Sequence, residues 1–175
     1  MDIRERQAPL RERYTNDPET AIQRLSVHGG GADLSDPLHV EIHPDRVVDV
    51  WRSGAHPAVG GDDDVPCSGD LLLGALAACQ EVTLRMVAAN MGIAITALEI
   101  TVEADWDARG TLAMGREFPV GIRKIRCSTD VTIADDERGE RAERLLRSAE
   151  RYCVVLDTLR SGVDVDAEIT VRGAA

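Results

Sequence analysis

The chain has 175 residues, 43% of them apolar, which suits one domain with a single buried core. Its net charge of −11 repels phosphate backbones and anionic lipid surfaces, arguing against nucleic acid or a membrane as a partner. Aromatic content of 3% leaves little material for base-stacking platforms or aromatic cages.

The first twenty residues mix Arg, Glu and Gln and end in Asn16-Asp17-Pro18, which predicts a short surface helix or an arm closed by a turn, outside the domain proper at 21–175. This amino terminus is charged throughout, without the apolar stretch of a signal peptide. No apolar run of membrane-spanning length stands out, so the expected location is the cytoplasm. From Ala21 come AIQRLSV, a turn-rich HGGGADLSDP and LHVEIHPDRVVDVW, in which His43-Pro44-Asp45 separates two alternating stretches. Three antiparallel strands are the simplest account. The Gly-rich stretch has none of the Lys-Ser/Thr context of a phosphate loop.

SGAHPAVGGDDDVPCSG reads as a loop whose acidic run, Asp62 to Asp64, is solvated, and Ser68 or Asp70 can cap the helix that follows. That helix, over 70–91, is apolar almost all round, as expected of a helix surrounded by protein. At about 100° per residue, Ala75, Cys79, Val82 and Met86 share a face, and Glu81 and Arg85 form a polar ridge able to pair with itself. Residues 93–110 and 118–134 alternate again, predicting a second antiparallel pair. The acidic start of DDERGERAERLLRSAERYC predicts another helix running to about Tyr152, with Cys153 at or near its end. VDVDAEITVRG reads as a last strand. Strands, helix, strands, helix and strand without a βαβ rhythm give an α+β fold of antiparallel sheets packed on helices. A central helix this apolar calls for more cover than one small sheet gives, which a homodimer would supply.

Cysteines stand at 67, 79, 127 and 153, irregularly spaced in a chain too large to need disulfide staples. With no CxxC, no HxxxH and no Cys/His pair at finger spacing, a structural zinc site is not expected, and no cofactor is implied. Cys127 alternates with Lys124 and Arg126 and reads as a strand-core residue, while Cys67 lies in an acidic, exposed loop where neighbouring carboxylates disfavour the thiolate. A cysteine in a buried helix is by default a small hydrophobe. For Cys79 that default competes with a reactive role, because Glu81 and Arg85 lie within two turns and an Arg near a thiol favours its thiolate. Cys153 could resolve an oxidised Cys79 if the fold brings the two together.

The stretch LLLGALAACQEVTLRMVAANMGIAITALEITVEADWDARG, followed at a distance by AERYCVVLDTLRSGVDVDAEI, resembles the OsmC/Ohr family of osmotically induced and organic-hydroperoxide-resistance proteins, over most of residues 21–172. The resemblance implies an intertwined homodimer in which antiparallel sheets wrap two long central helices. It also implies thiol-dependent reduction of organic hydroperoxides, with Cys79 as the peroxidatic and Cys153 as the resolving thiol, and a dithiol such as lipoamide as reductant. Three departures accompany it. Peroxidases of the family carry Asn-Pro-Glu ahead of the helix, where this chain has Cys67-Ser68-Gly69 with Asp70 one position late. The Arg of their Gly-rich turn has no counterpart in His28-Gly29-Gly30-Gly31, and Val154 follows Cys153 where the pattern has Pro. Arg52, Arg85 or Arg24 would have to replace the cation, and Glu81 the carboxylate. The alternative is a non-catalytic member that binds a small molecule or senses oxidants through its thiols.

Overall fold

A computed structural model describes residues 2–134 and 139–173. The fold is α+β: a three-stranded and a two-stranded antiparallel sheet, with helices packed between and beside them. Helix α1 (Ile3–Asn16) realises the amino-terminal segment as a helix, its start capped by the Asp2 carboxylate, which accepts from the Arg4 amide. Strands β1 (Val27–Gly29), β2 (His39–Pro44) and β3 (Trp51–Gly54) pair in that order. The three predicted strands are therefore present, though AIQRLSV contributes only its last residue to β1.

Helix α2 (Ser68–Met91) is the longest element. Its cap is built as the composition suggested, with the Asp70 carboxylate reaching back to accept from the Cys67 N–H at 2.9 Å. At the other end Gly92 takes the left-handed conformation, φ 68°, that a side chain would resist. The last carbonyls of α2 are held by two arginines, Arg4 on that of Asn90 and Arg141 on that of Met91, which also complements the helix dipole. Through Arg4, and through Gln7 accepting from the Asn90 side chain, α1 is docked on the end of α2.

Strands β4 (Ile95–Asp105) and β5 (Lys124–Ile133) form the second antiparallel pair, joined through the short helix α3 (Ala108–Thr111), where only a turn at Arg109-Gly110 was expected. Helix α4 (Glu140–Tyr152) ends where predicted; the acidic residues at 135–137, expected in its first turn, lie outside the described residues. After one non-helical residue, Cys153, the chain forms α5 (Val154–Ser161), which the sequence reading missed. Its first two residues, Val154 and Val155, are β-branched and weak helix formers, and the break at Cys153 shifts the helical phase. The strand expected over 163–173 is a correction: those residues are exposed and pair with no strand among the described residues. A strand exists only where a neighbour takes its hydrogen bonds, and among the described residues of one chain none does.

Leu84, Ala88, Ile93, Leu145 and Ala149 form the core, flanked by Val87, Leu98 and Val131. The buried stripe of α2 is Leu76, Gln80, Leu84 and Ala88, spaced by four. The face expected to be covered, Ala75 to Met86, is open, with Val82 52% and Met86 36% exposed. Length and composition alone would let α2 cross a membrane, a correction to the sequence reading. Its buried stripe, packed on β4, α4 and α5, makes it instead the central helix of the fold. The chain exposes 13370 Å², whereas a folded monomer of 19.0 kDa exposes about 8,400 Å².

The loop leading into α2 is tied to β2 by His39, whose Nδ1 is 2.6 Å from Asp36 and Nε2 3.1 Å from Asp64. Asp64 is thus a partner of His39 and not merely solvated. Hydrogen bonds to Asp36 and Asp64 raise the pKa of His39, so the clamp's contribution is complete below about 6.5, the unfolded value, and is lost as pH rises through the folded value. The melting temperature of the protein, relative to a His39→Asn variant, should fall between pH 6 and pH 9, with thermal melts at both pH values as the check.

Two substitutions on the buried stripe of α2 should act with opposite sign. Leu84→Ala removes the centre of the core and is expected to cost about 2–5 kcal/mol in urea denaturation. Gln80 is the polar exception: its Oε1 is buried without a hydrogen-bond partner, a penalty of about 1–3 kcal/mol. Gln80→Leu should therefore leave the denaturation midpoint unchanged or raise it.

Candidate functional site

Cys79 sits midway along α2, half-buried, on the turn before Thr83. Cys153 is fully buried, 0% exposed, in the break between α4 and α5. The buried stripe of α4, Leu145 and Ala149, continues at the same four-residue spacing into Cys153, which is why the break is pinned against α2. Both thiols are free, and they lie near enough for Cys153 to lower the pKa of Cys79 by hydrogen bonding.

The surroundings divide the two sulfurs chemically. Burial pushes the Cys79 thiol up, but it is outweighed by the Val155 N–H, the Cys153 thiol, the Thr83 hydroxyl and the Val154 N–H, so its pKa is lowered. For Cys153 burial again acts upward; the amides of Leu156 and Val155 oppose it, and hydrogen bonding and repulsion from Cys79 add to it, leaving its pKa raised. Val154 and Val155 are the first two residues of α5, whose opening N–H groups have no intrahelical acceptor and carry the positive end of the helix dipole. A thiolate placed there is stabilised by unspent backbone donors, a well-understood way of making a cysteine nucleophilic. The arrangement makes the half-buried Cys79 the more acidic of the two thiols and the fully buried Cys153 the less acidic one.

None of the candidate activating residues acts on the Cys79 sulfur. Arg85 and Glu81 pair with each other at 3.0 Å on the exposed face of α2. Arg52 is in β3, opposite Glu41 of β2, and the Arg24 carbonyl accepts from Arg46. The donors that do act, two backbone amides, a hydroxyl and the Cys153 thiol, carry no charge, and the unrecognised α5 concealed the amides. A Cys-Val-Val run directly after an amphipathic helix was the available signal.

Of the other cysteines, Cys67 is half-buried and forms the N-cap of α2, not part of an exposed loop. Cys127 is exposed and not a strand-core residue, although it shares the face of Ile125 as alternation required. It faces a cleft, and burial of its sulfur by the cleft walls raises its pKa. Among the described residues no three His, Cys, Asp or Glu side chains gather to hold a metal.

Comparison with known proteins places the geometry in a family. The fold is similar to that of an OsmC-like protein from Mycoplasma pneumoniae (16% identity, TM-score 0.61, covering 80% of this chain and 89% of that one). It is also similar to an OsmC-like protein of unknown function from Vibrio cholerae (10%, 0.63, 78% and 94%). An organic hydroperoxide resistance protein from Elizabethkingia anophelis matches as well (14%, 0.59, 81% and 91%). At these identities the likeness carries the fold alone. No curated protein matches. The family model described as OsmC-like protein matches residues 61–168, more than half of the sequence and all of α2, the second sheet and the two-thiol break, and the chain therefore belongs to the OsmC-like protein family.

Proposed function

We propose that this protein reduces organic hydroperoxides with Cys79 as nucleophile and Cys153 as resolving thiol. The observation that carries the reading is the opposed shift of two mutually interacting thiols, a half-buried Cys79 with lowered pKa and a buried Cys153 with raised pKa. The Cys79 thiolate attacks the distal oxygen of ROOH, breaking the O–O bond; RO⁻ leaves, takes a proton from solvent and departs as ROH, and the sulfur becomes a sulfenic acid. The Cys153 thiol then displaces hydroxide from Cys79, forming the disulfide and releasing water once its proton is transferred. A small dithiol such as lipoamide returns both cysteines to thiols and is itself oxidised to its disulfide. The missing Arg and Glu of the family's peroxidases are replaced by the amides at the start of α5. Val154 in place of Pro matters here, because Pro has no N–H to give.

The working form in this proposal is a cytoplasmic homodimer. A single chain exposes about 5,000 Å² more than its mass warrants, on the scale of an obligate interface. The open apolar face of α2 and the alternating segment at 163–173 are the surfaces that want cover.

Turnover of cumene hydroperoxide with a dithiol should be lost in Cys79→Ser. Cys153→Ser should stop at a sulfenic acid on Cys79, detected by trapping with dimedone and mass spectrometry. A disulfide that forms without turnover in the intact protein would replace the peroxidase reading with that of a thiol sensor. Alkylation of Cys79 should titrate below the ordinary cysteine value of about 8.5, its rate falling as pH drops through that lowered value. Val154→Pro, tolerated at the first position of a helix, removes one donor and should slow alkylation at pH 7 by about tenfold, the worth of one hydrogen bond to a charged sulfur.

A further inference from the structure

Helix α5 has little of its own to hold it. At eight residues it is too short to persist alone, and only Val155 and Leu156 among them are even half-buried. Its C-terminal end is tied by one ion pair, Arg160 to Glu150 of α4 at 2.6 Å, in which both side chains are exposed and the attraction is therefore weak. Beyond Ser161 the chain turns through Gly162 into the exposed segment at 163–173.

The other end is held differently. The first backbone hydrogen bond of α5 is donated by Asp157 to the Cys153 carbonyl, at 3.0 Å, so the N–H groups of Val154, Val155 and Leu156 come too early for a helical acceptor. Sulfur serves all three: the Val154 and Val155 amides bond to Cys79, and those of Val155 and Leu156 to Cys153. The start of the helix is thus moored to two sulfur atoms, one of them in a fully buried residue.

We infer that α5 is a redox-sensitive latch, moored while the two thiols are reduced and released when Cys79 and Cys153 join in a disulfide. The inference rests on the proposed function only for that bond, whose formation consumes both thiols and one organic hydroperoxide and yields the disulfide, an alcohol and water. As a thiolate, Cys79 is a strong acceptor, and a charge-assisted hydrogen bond is about twice as strong as a neutral one. Sulfur in a disulfide is neutral and accepts weakly. One S–S bond therefore weakens the acceptors of all three opening amides together, and among the described residues no backbone carbonyl takes their place. Release affects more than the helix. Leu156, Leu159 and Arg160 form one wall of a cleft against α2 and β5, and the 163–173 segment follows directly. Oxidation of a largely buried pair is thereby displayed on the surface.

Hydrogen exchange of the intact protein at one pH, read by mass spectrometry, tests this. Diamide closes the disulfide without any hydroperoxide, taking up the two thiol hydrogens as it becomes a hydrazine, and peptide mapping verifies the Cys79–Cys153 link. Amides of residues 154–161 should then exchange about tenfold faster than in the reduced protein, while those around Leu84 and Ala88 stay protected. A dithiol should restore the slow rate, and trypsin should cut after Arg160 sooner in the oxidised form. In the reduced state, Cys79→Ala, which has no acceptor, should exchange at α5 like the oxidised protein; Cys79→Asp, which supplies a carboxylate there, should stay slow. Unchanged exchange at α5 once the disulfide is mapped, loss of protection spread through α2, or equal rates in the two variants overturns the latch and leaves peroxide turnover standing. A protein that passes these tests but turns over no cumene hydroperoxide keeps the latch and loses the peroxidase reading. If diamide joins no Cys79 to Cys153, the latch and the resolving step fall together.

Discussion

The helical break at Cys153 is the constraint on which the rest depends. Continuous helix through residues 140–161 would satisfy the amides of Val154 and Val155 internally, by i→i−4 bonds, and leave nothing for Cys79. One residue in extended conformation, φ −77° and ψ 103°, ends α4 and restarts the count, so that α5 begins with free N–H groups beside α2. The core holds the break in place: Leu145, Ala149 and Cys153 form one buried stripe facing the α2 stripe through Leu84 and Ala88. Packing, rather than a charged side chain, positions the donors.

This explains which parts were legible in the sequence. Cys79 and Cys153 could be singled out because each falls at a definite place on or at the end of a helix, in stretches that resemble the OsmC/Ohr family. The pairing of β4 with β5 was legible for the same reason: alternation over ten residues has one sensible partner. What could not be read were contributions without side-chain signatures. The donors on Cys79 are peptide groups, and their direction depends on a single backbone residue. The role sought for Arg85 was a reasonable chemical guess, but i, i+4 spacing already gave it Glu81 as a partner on its own helix. Cys127 shows the converse case, where alternation placed it on the right face but could not tell that this face borders a cleft.

The segment 163–173 and the open face of α2 share one explanation. Alternation and all-round apolarity both describe the environment a residue is adapted to, and in the homodimer proposed above that environment extends beyond a single chain. The sequence therefore read as strand and buried helix where one chain shows neither. The two discrepancies point the same way as the surface area, and none of the three depends on the family.

Activation by amides instead of a guanidinium has a chemical consequence. An Arg beside a thiolate is a mobile full charge, which must be desolvated, held by a carboxylate and released if the sulfur is protonated. Peptide dipoles are fixed before the thiolate forms and need no counter-ion, so no glutamate is required to orient them. Losing the family's Arg and losing its Glu are then one change and not two, because the carboxylate has no function once the cation is gone. Gaining Val154 for Pro belongs to the same change, since it supplies the second donor. The cost lies in reach. A guanidinium can also bind the peroxide oxygens, whereas the α5 amides are engaged with sulfur and leave the proposed substrate no cation there. In the proposed reaction, binding at such a centre then depends on the body of the peroxide, and hydrogen peroxide, which has no apolar surface to bury, should be the poorer substrate.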